Sequence, residues 1–125
     1  MAVQNGAYKV ALTAATSTAV GGVLNVTNPA GVDLIITRVL FNVTTKSTGA
    51  ATLDVGIDDA GDTSNDTIMD GLDVGTAAGL FDNIENQGTN GKSALRWPAG
   101  YHLVATASAS VAGLVGYAYI EFIYV

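Results

Sequence analysis

The chain has 125 residues, enough for one hydrophobic core and too few for two domains of ordinary size. It is 49% hydrophobic, 13% charged and free of cysteine, which excludes disulfides, thiolate metal ligands and a cysteine nucleophile. The net charge of −6 argues against nucleic acid as a partner, because phosphate and an acidic surface repel.

The charge is placed unevenly. Residues 47–91 contain Asp54, Asp58, Asp59, Asp62, Asp66, Asp70, Asp73, Asp82 and Glu85 but no Lys or Arg, so the rest of the chain carries +3. Small β-favouring residues (Ala, Val, Thr, Gly) dominate and long helix formers are scarce, which points to an all-β domain. No apolar run reaches the ~18 residues of a membrane helix, and no basic leader precedes an apolar stretch. Neither a membrane partner nor export is expected, and synthesis is assigned to the cytoplasm.

In chain order, residues 1–6 are expected to form a short N-terminal arm ending at the Asn5-Gly6 turn signal. Alternation then predicts a strand over 7–14 and another over 23–27, ended by Asn28-Pro29-Ala30-Gly31. The longest β-rich run is 33–45, where strict alternation puts Ile35, Val39, Phe41 and Val43 on one side. Leu34, Ile36, Arg38, Leu40 and Asn42 fall on the other. A strand over 51–57 directs Leu53, Val55 and Ile57 inward. Residues 58–79 read as one long acidic insertion, with room for a helical turn over Thr67–Leu72 capped by Asp66. Short strands over 80–85, 93–97 and 101–108 precede the terminal strand. About eight strands with one insertion fit a single-domain antiparallel β-sandwich, of jelly-roll rather than immunoglobulin type.

Several segments invite a chemical reading. Gly88-Thr-Asn-Gly-Lys-Ser93 looks like part of a phosphate-binding loop, but Asn86 stands where that motif needs its first glycine, and an all-β chain has no helix to follow it. Asp58, Asp59, Asp62 and Asp66 offer hard oxygen donors of the kind Ca²⁺ takes. Their spacing does not match an EF-hand, and a solvated acidic loop without cofactor is the expected state. Trp97 and Tyr101 flank a Pro-Gly turn; exposed together they could stack on a sugar ring, as in a carbohydrate-binding module, whereas the commoner arrangement closes the end of a sandwich. His102 is the only histidine and has no evident nucleophile to activate, and no catalytic residue is assigned.

The terminal stretch Gly113-Leu-Val-Gly-Tyr-Ala-Tyr-Ile-Glu-Phe-Ile-Tyr-Val125 is apolar on both faces. Leu114, Ala118, Ile120, Phe122 and Tyr124 fall on one side, and Val115, Tyr117, Tyr119, Ile123 and Val125 on the other, with Glu121 the only charge. A strand that is apolar on both sides needs cover on both. One cover is the core, and the other is expected to be another subunit, with Tyr117, Tyr119, Ile123 and Val125 as interface residues.

With its small β-rich strands, acidic insertion, "RWPAGYHLVATAS" and closing "GLVGYAYIEFIYV", the chain resembles the small jelly-roll decoration or cement proteins of tailed-phage heads. The resemblance implies a virion-surface protein, made in the host cytoplasm. Its partners would be copies of itself, as a homotrimer, and a major capsid protein. A phage tail or fibre component, or a lectin-like module, is the alternative.

Overall fold

The computed structural model describes residues 5–125, which form nine strands and no helix. In chain order these are β1 (Asn5–Ala11), β2 (Leu24–Thr27), β3 (Leu34–Thr45), β4 (Thr52–Asp58), β5 (Met69–Asp73), β6 (Gly79–Asp82), β7 (Leu95–Trp97), β8 (His102–Ala107) and β9 (Val115–Tyr124). They make two antiparallel sheets. One runs β1-β9-β3-β6, with β7 also paired to β3, and the other runs β2-β8-β4-β5. Apolar residues at alternate positions of each sheet turn inward and build one core, with Phe41, Ile120 and Trp97 from the first sheet and Leu53, Leu103 and Met69 from the second. Fully burying a side chain of this size is worth about 1.5–3 kcal/mol.

The first strand starts earlier than alternation predicts. Asn5 and Gly6, assigned to an arm, lie in β1 opposite Ile123 and Phe122, and residues 1–4 of that arm lie outside the described residues.

The long strand β3 departs from strict alternation. Ile36 pairs with Phe122 and Arg38 with Glu121, so Thr37 is an extra residue in β3, a β-bulge. Its hydroxyl donates to the Glu121 carbonyl at 3.3 Å. The bulge exchanges the two faces of the strand. Leu34 and Ile36 are buried before it, and Val39, Phe41 and Val43 are buried after it. This corrects the sequence expectation, which carried one parity through the whole run and so put Ile35 on the side of Val39, Phe41 and Val43, and Leu34 and Ile36 on the other.

The acidic insertion is shorter than expected. The chain leaves β4 at Asp58 and re-enters the sheet as β5, so the region of the proposed helical turn is a strand. Gly71 is the reason: its φ of +75° lies in the left-handed region and breaks a helix. It sits in β5 where Leu53 pairs with Leu72 and Val55 with Met69, one residue more on β5 than on β4. Ile68, Met69, Leu72 and Val74 are all core residues, which ties the segment down.

Residues 59–67 then cross the outer side of the second sheet. Gly56 is the point of closest approach, since a Cβ there would stand 2.7 Å from the Asn65 backbone. Val104, on the side of β8 away from the core, is fully buried.

Candidate functional site

Trp97 and Tyr101 do not form the exposed pair that a sugar platform requires. Trp97 has no exposed surface, and its Nε1 donates to the Tyr101 carbonyl at 3.0 Å. The buried Asn28 seals the same end: its Nδ2 donates to the carbonyls of Trp97 at 2.8 Å and Val32 at 2.9 Å. Tyr101 alone remains partly exposed. The aromatic therefore closes the end of the sandwich, and the pair offers no platform for a sugar ring.

The acidic loop brings three of its four candidates together. Single carboxylate oxygens of Asp58, Asp59 and Asp62 lie within 4.8 Å of one another, while Asp66 instead accepts from Asn90 Nδ2 at 3.0 Å. Asp58 Oδ2 is already engaged by the amides of Asp62 at 3.0 Å, Thr63 at 3.2 Å and Ala60 at 3.3 Å. Desolvation pushes its pKa up, but the amides of Thr63, Asp62, Gly61 and Ala60 outweigh it and hold the carboxyl below its ordinary value. Asp58 thus serves as the internal acceptor that shapes the loop.

Gly88–Ser93 runs beside β5 as a loop. Asn90 N donates to Asp70 Oδ2 at 3.3 Å and Asp70 N donates to the Gln87 carbonyl at 2.8 Å. Two carboxylates, Asp66 and Asp70, thus stand where a phosphate would have to approach. The Nδ1 of His102 lies 2.8 Å from Asn25 Oδ1, and Asn25 Nδ2 donates to the Gly61 carbonyl at 3.4 Å, so this histidine helps to hold the loop to the sheet.

The surface that remains is the outer face of the five-stranded sheet. β9 lies between β1 and β3, with Gly116, Ala118, Ile120 and Phe122 in the core. The opposite parity carries Val115, Tyr117, Tyr119, Glu121 and Ile123 outward. Val115 is 52% exposed, Tyr117 40% and Ile123 38%, while Tyr119 is half-buried; Val125, just past the strand, is 67% exposed.

Register fixes their neighbours. Tyr117 lies between Ala11 and Asn42, Tyr119 between Lys9 and Leu40, and Ile123 opposite Ile35. On β6, Leu80 pairs with Asn42 and is 67% exposed. Lys9 Nζ stands 4.3 Å from the centroid of the Tyr117 ring and 5.7 Å from that of Tyr119. Arg38 and Asp82 form an ion pair at 2.9 Å across β3 and β6. The hydrogen bond from Arg38, with the amides of Glu85 and Ile84, outweighs desolvation and keeps the Asp82 carboxyl below its ordinary value; the Glu85 amide is the largest contributor.

Tyr117, Tyr119 and Ile123 therefore occupy one side of the sheet, and Val125 is exposed just past its end. Sequence reading missed Leu80 and Ile35: β6 is four residues long, too short to assign a face, and the bulge reverses Ile35.

The other sheet has the opposite character. Its strands carry Asp54, Asp58, Asp70 and Asp73 and no Lys or Arg. Burial pushes the Asp54 carboxyl above its ordinary value; the Gly71 amide opposes this, and the neighbouring Asp66 and Asp70 add to it.

No family model and no curated protein matches this sequence. Among solved structures, the chain is similar to one titled "Capsid of Ralstonia phage GP4", with a TM-score of 0.60 at 15% identity over 97% of this chain and 84% of that one. At that identity the likeness is one of fold, an all-β sandwich of two antiparallel sheets.

Proposed function

We propose that this chain is a non-enzymatic structural protein of a tailed-phage particle, of the decoration or cement kind. It sits on the capsid surface as a homotrimer, is made in the host cytoplasm, and contacts the major capsid protein. The observation that carries this reading is the outer face of the β1-β9-β3-β6 sheet, on which Val115, Tyr117, Ile123 and Leu80 all remain exposed, with Asn42 between Tyr117 and Leu80. Large apolar and aromatic side chains gathered on one exposed face mark an interaction surface, and aromatic residues are enriched in the cores of protein interfaces.

Two further observations support it. The fold is similar to that of a chain in a structure titled as a phage capsid. The strand orders β1-β9-β3-β6 and β2-β8-β4-β5, in which the chain passes repeatedly from one sheet to the other, favour the jelly-roll reading. The mechanism is mechanical. Covering junctions between shell subunits adds buried area to the closed state and so opposes opening, while the acidic second sheet faces solvent and keeps particles apart.

The test uses particles that lack the chain. Added protein should co-sediment with them to a fixed stoichiometry and raise the temperature at which they open. Protein that stays in the supernatant at saturating concentration would refute the assignment.

A further inference from the structure

We propose that the outer face of the five-stranded sheet docks against a second copy of this chain, with Lys9 of one copy meeting Glu121 of the other. The inference rests on the reading of this face as an assembly surface and names its occupant.

Lys9 and Glu121 are both exposed and stand on this face on adjacent strands, Lys9 opposite Tyr119 and Glu121 opposite Ala7. Among the described residues the ion pairs are Arg38–Asp82 and Arg96–Asp33, so neither Lys9 nor Glu121 has a charged partner among them. Lys9 instead lies over the rings of Tyr117 and Tyr119, which places the ammonium at the edge of the aromatic patch, an exposed contact weak enough to be exchanged for a carboxylate. Beside Glu121 lies a groove of about 380 Å³ lined by Gly6, Ala7, Thr37, Glu121, Phe122 and Ile123. Its lining is mixed, with Phe122 and Ile123 beside the Thr37 hydroxyl and the Glu121 carboxylate, which suits the aliphatic stem and charged head of a lysine.

Charge complementarity selects the occupant. Besides Arg38 and Asp82, which pair with each other, the face carries one cation and one anion without a charged partner among the described residues, so an acidic partner surface would oppose Glu121 and a basic one would oppose Lys9. A copy of the same face presents one of each and satisfies both while covering Tyr117 and Leu80 with like surface. The second sheet is a poor occupant, because its strands offer carboxylates and no Lys or Arg.

Lys9→Glu and Glu121→Lys test the pairing, with sedimentation velocity as the readout and circular dichroism confirming the fold. Each single variant should associate at least about tenfold more weakly than the parent. Lys9→Met and Glu121→Gln, which leave no repulsion, should weaken it less. Mixing the two charge-reversed chains should restore association, since each then meets its opposite. Full restoration marks a two-fold contact, which would replace the homotrimer by a dimer, and incomplete restoration marks a ring of three, because three chains of two kinds always leave one like pair.

A parent chain that is monomeric at micromolar concentration, single variants that associate like the parent, or a mixture no better than its components would each overturn the inference. A monomeric chain that still binds particles would overturn this pairing and leave the structural role intact. Association without any binding to particles would do the reverse.

Discussion

Asn83 and Val39 exchange two hydrogen bonds: the Val39 amide donates to Asn83 Oδ1 at 2.8 Å, and the Asn83 amide donates to the Val39 carbonyl at 3.3 Å. This clamp lies directly after the bulge that reverses the faces of β3. Asn83 Nδ2 also donates to the carbonyls of Lys92 at 2.9 Å and Ser93 at 3.1 Å, and the residue is fully buried. Asn83→Ala would strand several buried polar groups, so a loss of about 3 kcal/mol is expected. Urea unfolding should show a lower midpoint at unchanged slope. A loss below about 0.5 kcal/mol would mean that the bulge holds without its clamp.

The approach of the acidic loop to the second sheet depends on Gly56. Its Cβ position falls against the Asn65 backbone, which has no flexible end to move aside. Gly56→Ala should cost about 1–3 kcal/mol and raise hydrogen exchange in residues 59–67. Unchanged exchange there would show that the loop is held by its ends alone.

Calcium provides a separate check on that loop. Because Asp58 Oδ2 is occupied by three amides, millimolar Ca²⁺ is expected to leave the melting temperature unchanged. A rise that saturates with Ca²⁺ would assign Asp58, Asp59 and Asp62 a ligand role.

Stability should respond to pH with opposite signs at two carboxylates. Asp82 has a lowered folded pKa, so its contribution is present at neutral pH and is lost as pH falls below its ordinary 3.8. Asp54 has a raised folded pKa, so ionising it works against the fold as pH rises past 3.8. Asp54→Asn keeps an acceptor for the Gly71 amide, 3.0 Å away, and should stabilise the protein at pH 7 by less than about 1 kcal/mol. The gain should vanish in acid. A gain that is independent of pH would point to a cause other than charge.

Tyr119→Asp and Ile123→Asp place a carboxylate within the outer patch. Association is expected to weaken at least about 100-fold, while the unfolding midpoint moves little, since neither side chain is in the core. Loss of the fold in either variant would mean that this face supports the monomer rather than the assembly.

The terminal strand was legible because alternation alone sorts its side chains onto two faces. Residues 114–125 are apolar at both parities, and burial of Ala118, Ile120 and Phe122 leaves Tyr117 and Ile123 outside, as the alternation requires. β3 was not legible, because a bulge adds one residue without a sequence mark and reverses every face beyond it. β5 was obscured by Gly71 and its acidic neighbours, which resemble a loop until Met69 and Leu72 are seen in the core. For Trp97, a pattern of aromatics around Pro98 fits an exposed platform and a closed end equally; the Asn28 bonds that seal it come from a segment 69 residues away.

The most direct measurement is an electron cryomicroscopy difference map between particles with and without this chain. Density is expected on the outside of the shell, with the Tyr117, Tyr119 and Leu80 face of each copy buried against neighbours and the sheet bearing Asp54 and Asp73 turned to solvent. Copies whose aromatic face lies open to solvent, or a shell with no added density, would contradict it.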